Sequence, residues 1–218
     1  MRVRILAPLV SVVVLPFLLV ACGGDDDDDG GAGVACDYPE DSVAASKDVD
    51  PPPDKATVKG DVAVTFETSI GALEMTMDAD AAPCTVGSIV SLAEQGYFDS
   101  TSCHRLTTSN IFVLQCGDPT ATGGGGPGYT IPDEFTGEET YPAGTLAMAN
   151  KKDQPNSGGS QFFIVYDKTQ LPSQYTVFGT IDETSLDAIR RLAANGTTTG
   201  SPDGPPKTPV EIRTVTIS

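Results

Sequence analysis

Tryptophan is absent from this chain, histidine occurs once, at position 104, and only 13 Lys and Arg stand against 30 Asp and Glu. The shortage of cations excludes a nucleic-acid partner, because binding a phosphate backbone needs clustered Lys and Arg that release counterions. It also argues against docking on an anionic membrane face through basic residues. No two of the five Cys stand at CxxC spacing, which removes both a thiol redox motif and a zinc knuckle. What is present is a 39% apolar content with eight Phe and six Tyr, enough for a single core in a domain of about 150 residues. The 23 Gly and 17 Pro point to many turns and short strands rather than a helical bundle.

Arg2 and Arg4 precede an apolar run over residues 5–20, interrupted by Pro8 and Pro16, which is the plan of a signal peptide. The run falls short of the roughly 20 residues needed to span a bilayer. It ends in Leu19-Val20-Ala21-Cys22, which resembles the lipobox of bacterial lipoproteins. That resemblance implies cleavage after residue 21, acylation of Cys22 and anchorage on the outer face of the cell membrane. Residues 23–33, with consecutive Asp from Asp25 to Asp29, read as a solvated, self-repelling tether. A calcium loop would need alternating ligands, a central Gly and a distal Glu, and the pattern is missing. Residues 36–59 stay low in apolar content, carry Pro51, Pro52 and Pro53, and read as a spacer with little fold of its own. The expected organisation is a signal peptide over 1–21, a lipidated Cys with a disordered acidic and Pro-rich tether over 22–60, and one domain over 61–218.

With Cys22 acylated, Cys36, Cys84, Cys103 and Cys116 remain. An even number outside the cytoplasm permits disulfides, and four Cys allow three connectivities. The expected pair is Cys84 with Cys103, leaving Cys36 and Cys116 unassigned. Cys103 and His104 do not make a catalytic dyad, because neighbours in an extended strand point to opposite faces.

From residue 61 the pattern is regular. Val62, Val64 and Phe66 alternate with polar residues, as do Leu73, Met75 and Met77 after a turn around residues 69–71, which predicts a half-buried hairpin. Pro83 opens a helix with Val86, Ile89, Val90 and Ala93 on one face and Gly96 as its stop. Strand-like runs follow at 102–106, 111–116, 144–149, 161–165 and 176–181. A second helix begins near Thr184 or Ser185 and ends at Gly196, and the last strand, 210–217, changes apolar parity after Ile212, as a bulge would cause. Such an order, about seven or eight strands with two helices, favours a mostly β fold, a closed antiparallel barrel, eight-stranded at the upper count, capped by two α-helices, over a βαβ sheet.

Four segments then appear in a specific order: CHRLTT (103–108), FVLQCGD (112–118), GTLAMAN (144–150) and GGSQFFI (158–164), followed by VFGTI (177–181). Together they closely resemble the cyclophilin family of peptidyl-prolyl cis-trans isomerases, across about residues 62–217. The lipobox, the acidic spacer and the Cys positions look most like exported members from high-GC Gram-positive bacteria. The resemblance implies that Arg105 is the catalytic arginine, and that Phe112, Gln115, Ala149, Asn150, Gln161 and Phe163 are active-site residues. Val113 stands where the family usually has Met, and Leu171 matches a pocket Leu. Gln170 occupies the place of a Trp associated with cyclosporin binding, Tyr175 replaces a His beside the pocket, and residues 106–111 are about two longer than in the commonest form. These departures keep open a peptide-binding module or holdase with little turnover.

Rotating an X-Pro amide moves no proton and requires no nucleophile, metal or organic cofactor. A guanidinium suits it, being always charged with several donors in a fixed plane. Phe112, Val113, Phe163 and Leu171 are expected to grip the proline ring, Gln115 and Asn150 the peptide backbone, and Gln161 to orient its neighbours. His104 is expected to be a hydrogen-bonded structural residue. Residues 123–126, a Gly run without the Lys-Ser/Thr ending of a phosphate loop, read as a flexible wall beside the groove. The expected partners are proline-containing peptides and unfolded exported proteins, with the chain a monomer.

Overall fold

The computed structural model describes residues 33–152 and 154–218; the expected signal peptide, Cys22 and the run of Asp lie outside the described residues. A small two-stranded sheet, β1 (Val34–Ala35) with β2 (Lys55–Ala56), precedes the main sheet. The predicted hairpin forms from β3 (Asp61–Thr68) and β4 (Gly71–Asp78), in antiparallel register from Asp61↔Asp78 to Thr68↔Gly71. Helix α1 (Pro83–Glu94) follows, then short strands β5 (Thr101–Cys103), β6 (Arg105–Thr107) and β7 (Val113–Cys116). The chain continues through β8 (Thr145–Met148), β9 (Phe162–Val165), β10 (Val177–Ile181), helix α2 (Glu183–Ala193), β11 (Asp203–Gly204) and β12 (Val210–Ile217).

The spatial order is β11-β6-β7-β9-β8-β10-β4-β3-β12-β5. β5 and β6 are one strand broken at His104: the first half pairs with β12 and the second with β7. The two flanks of the sheet therefore meet in this strand, and the sheet curls on itself. The amide of His104 donates to the Gln115 carbonyl at 3.1 Å, carrying the ladder through the break. With that broken strand counted as one and the two-residue β11 set aside, the main sheet holds the expected eight antiparallel strands beside two helices among the described residues, and the parity change in β12 is a register shift between Ile212 and Thr214. Phe66, Phe98, Phe162 and Phe178 meet edge-on or tilted inside the curl, with centroids 5.6–6.2 Å apart, the geometry aromatic rings prefer.

Both helix starts differ in detail from expectation. Asp182, not Thr184 or Ser185, caps α2: its backbone is extended and its side chain accepts from the Ser185 amide at 2.8 Å. At α1 the Pro83 start leaves orphan amides, and these are taken by a distant carboxylate. The Cys84 and Thr85 amides each donate to Glu134 at 2.8 Å.

Two expectations are corrected. The disulfides are Cys36–Cys84 and Cys103–Cys116, not Cys84 with Cys103. Cys84 lies on α1, whereas Cys103 ends β5 and faces Cys116 on β7 with Cα atoms 4.0 Å apart, so strand proximity decides the second pair. The other correction concerns the spacer: residues 33–60 pack on the barrel. Cys36 and Ala56 are buried, Tyr38 donates its hydroxyl to the Cys84 carbonyl at 2.8 Å, and the Asp41 and Ser46 amides donate to the carbonyls of Gly128 and Gly126. A disulfide and hydrogen bonds to another loop replace the core this apolar-poor segment lacks, which local composition does not register.

The glycine-rich stretch is likewise fixed. Asp118 is fully buried and accepts from the amides of Thr120, Thr122, Gly123 and Gly125 at 2.7–3.2 Å, and from the Thr120 hydroxyl at 2.7 Å. A Cβ on Gly125 would fall 2.1 Å from the Asp118 carboxylate, so only glycine lets this amide approach. Burial by itself raises the Asp118 pKa; the Thr120, Gly125 and Gly123 hydrogen bonds outweigh it and hold the group below the usual carboxylate value.

Two predictions follow from these anchors. Replacing both Cys36 and Cys84 by Ser should lower unfolding free energy by about 2–4 kcal/mol in urea titration and open residues 33–60 to protease; an unchanged midpoint would mean the bridge does not hold the segment. A depressed folded pKa gives stability that is complete above the unfolded value of about 3.9 and is lost as pH falls through the folded value. The Gly123 and Gly125 amides should therefore lose hydrogen-exchange protection on acidification below about pH 4. In Asp118→Asn that acid-induced loss should disappear, because no carboxylate is left to titrate.

Candidate active site

Antiparallel pairing places directly opposed side chains on one face, close enough to touch. Across the outer face of the sheet the pairs Arg105↔Gln115, Gln115↔Phe163 and Phe163↔Ala147 form one continuous row. The next row holds Val113 opposite Val165. β8 and β9 are buried on both faces: inward residues join the main core, while Val113, Tyr141, Ala147, Phe163 and Val165 form a second apolar cluster outside. Leu171 and Tyr175, from the loop before β10, pack against that cluster, with the Tyr175 ring edge-on to Phe163 at 5.3 Å.

These rows and that loop enclose a cavity of about 170 Å³. Arg105, Val113, Gln115, Ala149, Asn150, Phe163, Leu171 and Tyr175, all singled out in the sequence, line it together with Ile111, which was not. Phe112 stands elsewhere: strand alternation turns it toward the inner core, where its ring meets Tyr166 at 5.9 Å. Gln161 lines an adjoining cavity of about 360 Å³, walled by Gly123, Gly125, Lys151 and, from the N-terminal segment, Asp41 and Val43. Gln170 is exposed and lines neither cavity.

Side-chain hydrogen bonds order the polar rim. Gln161 donates its amide to the carbonyls of Gly123 and Gly125 at 3.0 and 2.9 Å. Gln115 donates to the Gln161 carbonyl at 2.9 Å, and its own carbonyl accepts from Arg105 Nη1 at 3.2 Å. Arg105 Nε and Nη2 donate to the two oxygens of Asp203 at 2.8 and 2.7 Å. The Asp203 hydrogen bonds raise the Arg105 pKa further, so the guanidinium stays charged. Asn150 donates to the Gln174 carbonyl at 2.9 Å, and Tyr141 bridges the amide and carbonyl of Tyr175, fixing the loop that carries Leu171.

His104 differs from expectation, since neither ring nitrogen has a hydrogen-bond partner in the protein. Burial first, and the Arg105 charge second, push it below its usual value against the pull of Asp118, leaving it neutral at pH 7. Asp203 and Asp41 were missed for a common reason. Pro202-Asp203-Gly204 reads as a turn, and nothing local marks its carboxylate as the partner of a residue 98 positions earlier. Asp41 lay in the segment taken as a spacer.

Comparison with known proteins agrees with this geometry. Residues 63–217 match the family model described as cyclophilin type peptidyl-prolyl cis-trans isomerase/CLD. The chain is 43% identical over 204 residues to the probable peptidyl-prolyl cis-trans isomerase B of Mycobacterium leprae, covering 85% of this chain and 67% of that protein. For the protein of the same description from Mycobacterium tuberculosis the values are 42% over 200 residues, 85% and 64%. The chain thus spans about two thirds of the length of these mycobacterial relatives. Among solved structures, the cyclophilin type peptidyl-prolyl cis-trans isomerase of Cryptosporidium parvum superposes with a TM-score of 0.64 at 29% identity, covering 72% of this chain and 98% of that one. A structure of that protein in the presence of the dipeptide Ala-Pro superposes with a TM-score of 0.63. With a family match over most of its length and the motif residues gathered at one groove, this chain belongs to the cyclophilin family of peptidyl-prolyl cis-trans isomerases.

Proposed function

We propose that the chain is a peptidyl-prolyl cis-trans isomerase that accelerates X-Pro rotation in exported proteins and is held at the outer face of the cell membrane by a lipid on Cys22. The observation that carries the isomerase reading is Arg105, a charged multiple donor at the rim of a cavity with room for a proline ring against Val113, Phe163 and Leu171. An X-Pro bond faces a rotational barrier of about 18–20 kcal/mol. Bringing tens of seconds to milliseconds requires lowering it by about 5–6 kcal/mol. Twisting the amide ends its resonance and concentrates electron density on the prolyl nitrogen, so a donor near that nitrogen favours the twisted form over either planar one.

A charge-assisted hydrogen bond contributes about 1.5–3 kcal/mol, so Arg105 alone does not reach the total. The remainder comes from holding one end of the peptide while the other turns. Val113, Phe163 and Leu171 grip the ring by apolar burial, and Gln115 and Asn150 offer polar groups to the backbone on either side. A neutral His104 suits a reaction that transfers no proton.

The lipobox at residues 19–22 and the acidic stretch after it support the export and tether reading. Two disulfides suit an oxidising compartment.

In exchange spectroscopy on a proline-containing peptide, the wild type should speed interconversion. Arg105→Ala should reduce kcat/KM by about tenfold to a hundredfold with the fold intact. Equal rates for the two proteins would sink the assignment, and peptide binding without acceleration by the wild type would favour the holdase. Separately, expression of the full chain in bacteria with labelled palmitate should give a labelled membrane-fraction protein, and Cys22→Ala should abolish both properties. An unlabelled, soluble wild type would refute the tether.

A further inference from the structure

Asp203 belongs to none of the motifs, yet it makes the most complete contact to Arg105. Its strand, β11, adds to the edge of β6 with Asp203 opposite Thr107 and Gly204 opposite Leu106. The segment that delivers it is closely tied down. Thr108 donates its amide to the Pro202 carbonyl at 2.8 Å, Thr198 to Pro205 at 2.9 Å, and Lys207 to Gly196 at 2.9 Å. The carboxylate is therefore presented by fixed backbone rather than by a loose surface chain.

A guanidinium has five N–H bonds in one plane. Asp203 takes one from Nε and one from Nη2, and Gln115 takes one from Nη1. Two remain, one on each terminal nitrogen. Two parallel bonds to one carboxylate also fix rotation about the last side-chain torsion, which a single bond to Gln115 does not.

We propose that Asp203 is a positioning residue for the isomerase reaction, setting the plane of the Arg105 guanidinium so that its two uncommitted N–H bonds are available to the prolyl amide as it twists. The inference rests on the isomerase reading above. Two effects compete at this pair: the carboxylate orients the cation and also offsets its charge. Orientation dominates, because the pair is partly exposed, with side-chain exposures of 37% and 52%, and water screens the charge while leaving hydrogen-bond direction intact. For the same reason the pair adds little to stability, so its loss should appear in turnover rather than in melting.

The test uses the full chain as wild type, Asp203→Ala, Asp203→Asn and Asp203→Glu, with a proline peptide in exchange spectroscopy. The expected result for Asp203→Ala and Asp203→Asn is a kcat lowered about tenfold or more. Peptide affinity should stay within about twofold, the pattern of an interaction that matters mainly in the transition state. Melting temperatures should be unchanged. The nitrogen-15 signal of Arg105 Nε–H, protected from exchange in the wild type, should become unprotected in Asp203→Ala, and Asp203→Glu should restore part of both the signal and the rate. Wild-type kcat in Asp203→Ala, a raised kcat, or an unaltered Arg105 signal would each overturn the proposal. If the wild type itself leaves exchange unaccelerated, the isomerase reading fails and this inference fails with it, an outcome distinct from an active wild type with indifferent variants.

Discussion

The orientation of one guanidinium depends on a run of hydrogen bonds that begins at a buried carboxylate. Asp118 gathers the amides of residues 120–125, which turns the carbonyls of Gly123 and Gly125 toward Gln161. From there the direction of every bond is determined. Gln161 must donate to those carbonyls, so its oxygen faces Gln115; Gln115 must donate to that oxygen, so its own oxygen faces Arg105. Flipping either side-chain amide would set donor against donor on one side of it and acceptor against acceptor on the other, so the sequence of acceptors and donors permits only one arrangement. A glycine-rich loop that looks unstructured is thus what orients the arginine from one side, while Asp203 holds it from the other.

Beneath this polar rim the sheet does two jobs with the same strands. Leu146 and Ile164 face the inner core, while Ala147 and Phe163 beside them face the groove. Burial on both faces removes the apolar and polar alternation that marks a half-buried strand. The motif residues converge because register aligns Arg105, Gln115, Phe163 and Ala147 across four strands, with β7 beside β9 although Gln115 and Gln161, the residue before β9, stand 46 residues apart.

Legibility in the sequence followed the range of the interactions. The β3–β4 hairpin, both helices and the shift in β12 rest on periodicity within a dozen residues and were readable, as was most of the cavity lining except Ile111, because ordered motifs and the family resemblance built on them pointed to it. Phe112 was misplaced by one step of strand alternation, since a motif names a position without saying which face it takes. The disulfide partners, the docking of residues 33–60, Glu134 on α1 and Asp203 on Arg105 all join segments about 50 residues apart or more, or depend on which strands lie side by side. Nothing in the composition of a short acidic or Pro-rich segment distinguishes a solvated chain from one pinned by a neighbour.

The double burial of β8 and β9 also bears on how such a groove diversifies. A substitution at Phe163 or Ala147 that would reshape the cavity floor also disturbs β9 or β8, whose opposite faces carry Ile164 and Leu146 into the core, so altered preference and lost stability arrive in the same mutation. The loops carry less of that penalty: residues 167–175 and the segment bearing Asp41 and Val43 touch the two cavities without joining the main core, although Gly125 in the glycine stretch cannot gain a side chain without displacing Asp118. Inheritable change in peptide choice is therefore channelled into the rim, and the floor is free to vary only as far as the barrel can tolerate.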